Sequence, residues 1–218
     1  MTRFLLCLGA LGMASSAYLV AYYAPVEATM GLSQKIFYIH LPLAWWGLVS
    51  FALVFFASLA YLWKRHSRFA HLALASCEVG EVCAILTVIS GMIWGRAAWG
   101  VWWTWDPRLT TALVLCFIYA GYLLVHGLDF AAERRRLVLA VIGCVAFIDV
   151  PLVFFSSRIW RSIHPAVFTK SGAGLTEEML LTVLCAVFAL GFFVLGLIRL
   201  RYQILLLEER LTAHSRKL

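Results

Sequence analysis

Six apolar runs divide this chain, and each has roughly the 20 residues that a helix needs to cross a bilayer. The runs span residues 4–24, 43–63, 72–94, 109–128, 137–155 and 179–198. Of the 218 residues, 63% are hydrophobic and only 13% are charged, far outside the range of soluble domains. We therefore predict an all-α integral membrane protein with six transmembrane helices, forming a single membrane domain over residues 1–218.

The cationic residues predict how these helices are oriented. Twelve of the eighteen Lys and Arg residues lie at the amino terminus, in the turns after the second and fourth runs, and in the carboxy-terminal tail. Because Lys and Arg concentrate in cytoplasmic segments, both termini are predicted to be cytoplasmic. Outer loops then lie at about 25–42, 95–108 and 156–178, and a cytoplasmic helical tail at about 199–218. The net charge of +7 is divided among short clusters, which argues against nucleic acid as a partner.

The second outer loop holds an unusual concentration of tryptophan. Five of the nine tryptophans fall between residues 94 and 108, together with two glycines and a proline that preclude one uninterrupted helix. Trp99, Trp102 and Trp103 have i, i+3, i+4 spacing, which predicts a short helix with these rings on one face. Trp105 follows two residues after Trp103. The alternative is an aromatic girdle, but a girdle spreads its rings over many helix ends. We favour a concentrated aromatic platform.

Two of the six histidines are predicted to face outward, His40 just before the second span and His164 in the third outer loop. Haem fits this combination, because its iron takes two axial imidazoles and its flat apolar face stacks on indoles. None of the six cysteines forms the C-x-x-C pair followed by histidine that attaches haem covalently. The haem would therefore be bound non-covalently, as b-type. Its propionates need cationic partners, and we favour Arg96, Arg158 and Arg161 over Arg108, which is predicted on the same side of the membrane. Contact with lipid headgroups is the alternative role for these arginines.

Asp106 and the proline after it predict where the fourth span begins. Asp is a favoured N-cap residue, and Pro is favoured at the first helical position. Asp106 is also a candidate to orient the platform by accepting a hydrogen bond from an indole N–H. The outer loops suggest no pairing of a nucleophile with a base, so we expect binding and delivery rather than catalysis.

Four segments carry a resemblance to a known family. Residues 99–110 read W-G-V-W-W-T-W-D-P-R-L-T, and residues 89–96 read I-S-G-M-I-W-G-R. His40 stands in F-Y-I-H-L-P-L-A-W, and His164 stands in W-R-S-I-H. The chain resembles the tryptophan-rich haem-handling proteins of cytochrome c biogenesis. Its short length and six spans are similar to the haem exporter protein C (cytochrome c maturation protein C) branch of that family.

This resemblance implies haem binding at the periplasmic face of the bacterial inner membrane, and delivery to a periplasmic haem chaperone for cytochrome c maturation. It implies His40 and His164 as axial ligands of the iron. The implied platform residues are Trp99, Trp102, Trp103 and Trp105. The implied partners, besides membrane lipid and the chaperone, are an ABC ATPase subunit, a second membrane subunit and a small single-span subunit. ATP hydrolysis is expected in a partner, since this sequence has no phosphate loop.

Two glutamates in the third run keep a second function open. Glu78 and Glu81 lie one helical turn apart, and a charge at the bilayer centre costs about 2.5–3.5 kcal/mol on insertion scales. They suit a proton-coupled or ABC-associated membrane transporter or permease subunit, and Asp149 in the fifth run raises the same question. A transmembrane electron-transfer cytochrome would need histidine pairs within the spans, which the sequence lacks. A scaffold whose tryptophans contact only protein is the remaining alternative.

Overall fold

The described part of the chain consists mainly of long α-helices. A computed structural model describes residues 1–160 and 175–215, and at residues 157 and 158 it describes the backbone alone. In this part of the chain the α-helices are α1 (Thr2–Tyr18), α2 (Phe37–Lys64), α3 (Ser67–Trp99), α4 (Pro107–His126), α5 (Ala132–Ala146), α6 (Asp149–Ile159) and α7 (Glu177–Ser215). A π-helical turn at Leu19–Tyr23 follows α1, and a 3-10 helix at Leu32–Ile36 precedes α2.

Six helical segments of the described chain are long and apolar enough to cross a membrane. They are Thr2–Tyr23, Leu32–Lys64, Ser67–Trp99, Pro107–His126, Ala132–Ser156 and Glu177–Ser215. The prediction of an all-α membrane protein with six spans is confirmed. The last segment has 39 residues, well beyond the length that the bilayer requires. Helix α7 therefore extends past its apolar part into the tail.

Successive spans run in opposite directions, so the bundle has two distinct ends. The tryptophan end carries the loop that joins α3 to α4. The basic end carries the short turns from α2 to α3 and from α4 to α5. The Thr2 hydroxyl lies 3.0 Å from Gln203 Oε1, which places the start of α1 and the last part of α7 together at the basic end. The cytoplasmic location of the basic end stays a prediction from charge.

Two helices extend further toward the tryptophan end than the apolar runs indicate. Helix α2 begins at Phe37, and α3 continues to Trp99. Gly100, with φ of 77°, ends α3 in the left-handed conformation that glycine adopts without strain. The connections predicted at 25–42 and 95–108 are therefore partly helical.

The fifth span is interrupted between α5 and α6. Residues 147 and 148 form a turn, and Pro151 is the third residue of α6. Proline has no N–H to continue the α5 hydrogen-bond ladder, but it is tolerated in the first turn of a helix. The interruption lets α6 pack against α4 at the tryptophan end.

The bundle is held by aromatic packing in its centre and by close helix approach at its side. Phe51 on α2 stacks on Tyr119 on α4 with ring centroids 3.7 Å apart. Helix α1 packs against α7 at Gly9, where a methyl group would stand 2.5 Å from the backbone nitrogen of Phe193. Small residues permit this backbone-to-backbone approach in membrane bundles.

Polar contacts join three helices at the basic end. The Glu209 carboxylate of α7 accepts hydrogen bonds from Ser67 and His71 of α3 and from Arg136 of α5, each at 3.0 Å. These contacts fix the extended part of α7 against its neighbours.

Candidate functional site

His40 lies in the first turn of α2, and its imidazole is directed at α3. The sequence places it in the loop before the span, but α2 begins ahead of Pro42 and includes both residues. His40 Nδ1 lies 3.1 Å from Ser90 Oγ. Its ring packs edge-on against Trp94, with centroids 5.8 Å apart. The half-buried imidazole is therefore held by contacts from α3.

The α3 residues that meet His40 share one face of the helix. Ser90 and Gly91 each lie three or four residues from Thr87 and from Trp94, which is the spacing of helical neighbours. The Ser90 hydroxyl lies 3.1 Å from the Thr87 carbonyl oxygen. Gly91 provides room for the ring, since a methyl group there would stand 3.2 Å from His40 Cε1. The imidazole thus lies close against the α3 backbone.

The His40 ring borders a cleft between α2, α3, α4 and α6. The cavity has a volume of about 80 Å³, enough for a few water molecules. Its lining is apolar except for His40, Thr87, Trp103 and Arg108. An imidazole, an indole and a guanidinium therefore meet at one apolar cleft.

The clustered tryptophans do not form the single-faced helix that their spacing predicts. Helix α3 ends at Trp99, Gly100 takes the left-handed conformation, and the residues up to 106 are not helical. The expected short helix is therefore wrong, because the glycine separates Trp99 from the later rings. The rings meet in pairs instead. Trp94 and Trp99 have centroids 6.1 Å apart, and Trp103 and Trp105 have centroids 5.7 Å apart.

These rings differ in exposure. Trp94 is 4% exposed and packs on Phe37 in a small buried cluster at the tryptophan end. Trp102 is 55% exposed and Trp105 is 76% exposed. The buried Trp94 ring therefore supports His40, and the exposed Trp102 and Trp105 rings form an open aromatic surface.

Asp106 caps α4 as the sequence predicts. Its Oδ1 accepts a hydrogen bond from the Arg108 backbone N–H at 2.9 Å, and Pro107 is the first helical residue. This start of α4 places Arg108 on the cleft. Arg96 donates to the carbonyl oxygen of Gly100, next to the end of its own helix. A bond from Asp106 to an indole stays a prediction.

Three predicted site residues belong to the third predicted outer loop. His164, Arg161 and the side chain of Arg158 lie outside the described residues. Of the two predicted axial ligands, the structure thus describes His40, and it brings this residue together with the tryptophan segment.

The family model described as heme exporter protein C matches residues 1–217. The chain belongs to this family. Heme exporter protein C of Bradyrhizobium diazoefficiens is 33% identical over 186 residues, which cover 84% of this chain and 71% of that protein. Heme exporter protein C of Escherichia coli (strain K12) is 32% identical over 197 residues, covering 86% and 77%. A putative cytochrome c biosynthesis ccmC-like mitochondrial protein of Marchantia polymorpha is 30% identical over 185 residues, covering 84% and 78%.

Membership of the heme exporter protein C family confirms the resemblance seen in the sequence. The residues that hold His40 were nevertheless missed. Ser90 and Gly91 stand in the I-S-G-M-I-W-G-R segment, which contributed only to the resemblance. Ser90 and Gly91 lie four and three residues before Trp94, and this helical spacing indicates that they share a face with it. Arg108 ranks below the other arginines in the sequence, although the N-cap just before it fixes where α4 begins.

The embedded acids of this family member lie in two different environments. Glu78 accepts two hydrogen bonds from the Arg201 guanidinium, at 2.6 and 3.0 Å, and so joins α3 to α7. Glu81 and Asp149 are buried, and each has a carboxylate oxygen with no hydrogen-bond partner among the described residues. None of the three lines the His40 cleft. The transporter alternative based on Glu78 and Glu81 stays a prediction.

Proposed function

We propose that this protein binds haem at the tryptophan end of the bundle and presents it to a periplasmic haem chaperone for cytochrome c maturation. The printed names of its family and relatives refer to heme export and to cytochrome c biosynthesis. The observation that carries the proposal is the position of His40. Its imidazole is held on an apolar cleft shared with Trp103 and Arg108, beside an exposed aromatic surface.

His40 and His164 serve as the two axial ligands of the iron in this proposal. A metal-binding imidazole is normally oriented by a partner on its other ring nitrogen. Ser90 provides that partner for His40, and Trp94 packs on the edge of the ring. His164 is assigned from the sequence, as the other outward histidine.

The tryptophans supply an apolar surface for the porphyrin. Indole rings offer a large flat area, and stacking with another aromatic ring adds to the energy of burial. Trp102 and Trp105 are mostly exposed, so they are free of core packing and accessible to a planar ligand. Trp99 and Trp103 complete the platform on the side of the helix ends. An exposed surface also leaves the bound haem within reach of a chaperone.

The propionates are assigned to arginines at the same end. Arg108 is the strongest candidate, because it lines the cleft that His40 borders. Arg96, Arg158 and Arg161 remain candidates from the sequence. A guanidinium can donate two parallel hydrogen bonds to a carboxylate, which makes it a suitable partner.

The proposed orientation is supported by charge, and the proposed partners by the family resemblance. The excess of Lys and Arg at the basic end supports a cytoplasmic location for that end and a periplasmic location for the tryptophan end. We propose assembly in the inner membrane with an ABC ATPase subunit, a second membrane subunit and a small single-span subunit. The chain itself is assigned a haem-handling role without bond-making chemistry, and ATP hydrolysis is assigned to the ATPase subunit.

The proposal is tested by the absorption spectrum of the purified protein in detergent, with haem added where needed. His40→Ala and His164→Ala are compared with His214→Ala, which removes an exposed histidine at the far end of α7. The wild type and the control should show a bis-imidazole haem spectrum, and each of the first two variants should lose it. A His40→Gly variant should recover the spectrum when free imidazole is added, which separates a lost ligand from a misfolded protein.

Two results would contradict the proposal in different ways. A wild type that stays colourless after haem is added would refute haem binding. Unchanged spectra in both histidine variants would retain haem binding and reject these two ligands.

A further inference from the structure

We infer that Ser90 is a positioning residue that sets the tautomer of His40, so that Nε2 is the nitrogen offered to the haem iron. The inference rests on the proposed role of His40 as an axial ligand. It concerns a hydrogen-bond chain inside the bundle, from α2 to two successive positions on α3.

The direction of this chain follows from the number of protons available. A serine hydroxyl has one proton, and a carbonyl oxygen can only accept. Ser90 Oγ lies 3.1 Å from the Thr87 carbonyl oxygen and 3.1 Å from His40 Nδ1. If the Ser90 proton pointed at the imidazole, the hydroxyl and carbonyl oxygens would face each other at 3.1 Å with no proton between them. That arrangement is repulsive, so the Ser90 proton goes to Thr87.

The protonation of the imidazole is a consequence. Because the Ser90 oxygen has donated its proton, it must accept from His40, and Nδ1 carries the ring proton. In a neutral imidazole the other nitrogen then holds the lone pair. Nε2 is therefore the metal-binding atom, and it lies on the side of the ring away from Ser90. Such a partner on the second nitrogen is how proteins orient metal-binding histidines.

Gly91 contributes to the position of the ring, on which this assignment depends. Its missing side chain lets the ring approach α3, where a methyl group would stand 3.2 Å from Cε1 and 3.6 Å from Nδ1 of His40. One residue therefore bonds to the ring and the next makes space for it. Gly91 thus lets the ring lie where Ser90 can set its tautomer.

The first test measures the tautomer in the haem-free, full-length protein. Histidine labelled with ¹⁵N is incorporated, and the His40 signals are identified by their loss in His40→Ala. The wild type should carry its proton on Nδ1. Ser90→Ala should shift the population toward protonated Nε2, and Ser90→Thr should keep the wild-type pattern because it retains a hydroxyl. A wild-type His40 protonated on Nε2, or a pattern unchanged in Ser90→Ala, would overturn the inference.

The second test measures haem affinity by absorbance titration. Loss of an outer-shell partner typically weakens metal binding by about 10–100-fold, and a neutral serine should lie at the lower end. Ser90→Ala should therefore bind haem about tenfold more weakly, with Ser90→Thr close to the wild type. Ser15→Ala is the matched control, since Ser15 makes the same kind of bond to the Leu11 carbonyl, at 3.0 Å, on α1.

The outcomes separate this inference from the function on which it rests. A wild type that binds no haem removes the proposed function and the role of Ser90 with it. A wild type that binds haem, with Ser90→Ala equally tight, leaves the proposed function intact and refutes only the positioning role.

Discussion

Replacing Gly91 by alanine adds one methyl group against His40, and the structure predicts effects of opposite sign on stability and on haem binding. Gly91 lies well inside α3, where alanine is favoured over glycine by about 0.8–1.0 kcal/mol. The added methyl meets His40 Cε1 at 3.2 Å, closer than an ordinary contact, which offsets part of this gain. The net change in unfolding free energy should therefore be positive and below about 1 kcal/mol.

Haem binding should weaken because the imidazole must move. A displacement of a few tenths of an ångström is enough to relieve the contact with the new methyl group. The bond from His40 Nδ1 to Ser90 Oγ is already 3.1 Å, and hydrogen bonds of this kind weaken beyond about 3.2 Å. Since complete loss of an outer-shell partner costs about 10–100-fold, a strained bond should cost about three- to tenfold in haem affinity.

The assay compares two glycine variants in the same detergent. Gly121→Ala is the matched control, because a methyl group at this position of α4 meets nothing within 4 Å. It should raise the unfolding temperature by about 2–4 °C, the shift expected for about 1 kcal/mol in a chain of this size, and leave haem binding unchanged. Gly91→Ala should raise the temperature less and weaken haem binding. Equal haem affinity and identical spectra in the two variants would refute the argument that the ring lies against Gly91.

Three further sets of substitutions test roles assigned to single side chains. Trp94→Ala should lower the free energy of unfolding by about 3–5 kcal/mol because the ring is buried, whereas Trp105→Ala, at an exposed ring, should lower it by less than about 0.5 kcal/mol. Equal losses of stability in chemical denaturation would contradict this difference. Arg108→Gln should weaken haem binding about tenfold through loss of a charge-assisted hydrogen bond, and Arg108→Lys should show an intermediate affinity in the same absorbance titration. Unchanged affinity in Arg108→Gln would exclude a propionate contact. Glu78→Gln should reduce the free energy of unfolding by about 1 kcal/mol, since its ion pair with Arg201 is partly exposed. A double variant that carries Glu78→Gln and Glu81→Gln should still deliver haem to the chaperone. Lost delivery with intact haem binding would favour the transporter alternative.

The parts of the fold that the sequence predicts correctly are those decided within one short segment. Hydropathy identifies all six spans, because insertion into a bilayer depends on the apolar length of each segment by itself. The cap at Asp106 is equally local, and the structure shows its side chain bonded to the Arg108 N–H. The helix expected from the spacing of Trp99, Trp102 and Trp103 fails for a local reason too, since Gly100 ends α3 after the first ring.

The same reasoning from sequence predicts only some of the residues of the site. His40 and the tryptophans attract attention because their residue types suit haem, and topology alone places them at one end of the bundle. Ser90 and Gly91 have no such signal, since serine and glycine are common in membrane helices and their significance depends on what faces them. Arg108 likewise ranks below the other arginines in the sequence, and only the position of α4 brings it to the cleft.

By itself, the sequence determined that this chain is a six-span membrane protein of the heme exporter protein C family, and it singled out His40 and the tryptophan segment. The tertiary structure decided how His40 is held. Its ring meets Ser90, fifty residues away on α3, at a distance of 3.1 Å. That meeting depends on how α2 and α3 are rotated and shifted against each other, which is set by packing between the helices. No property of either segment alone contains this information.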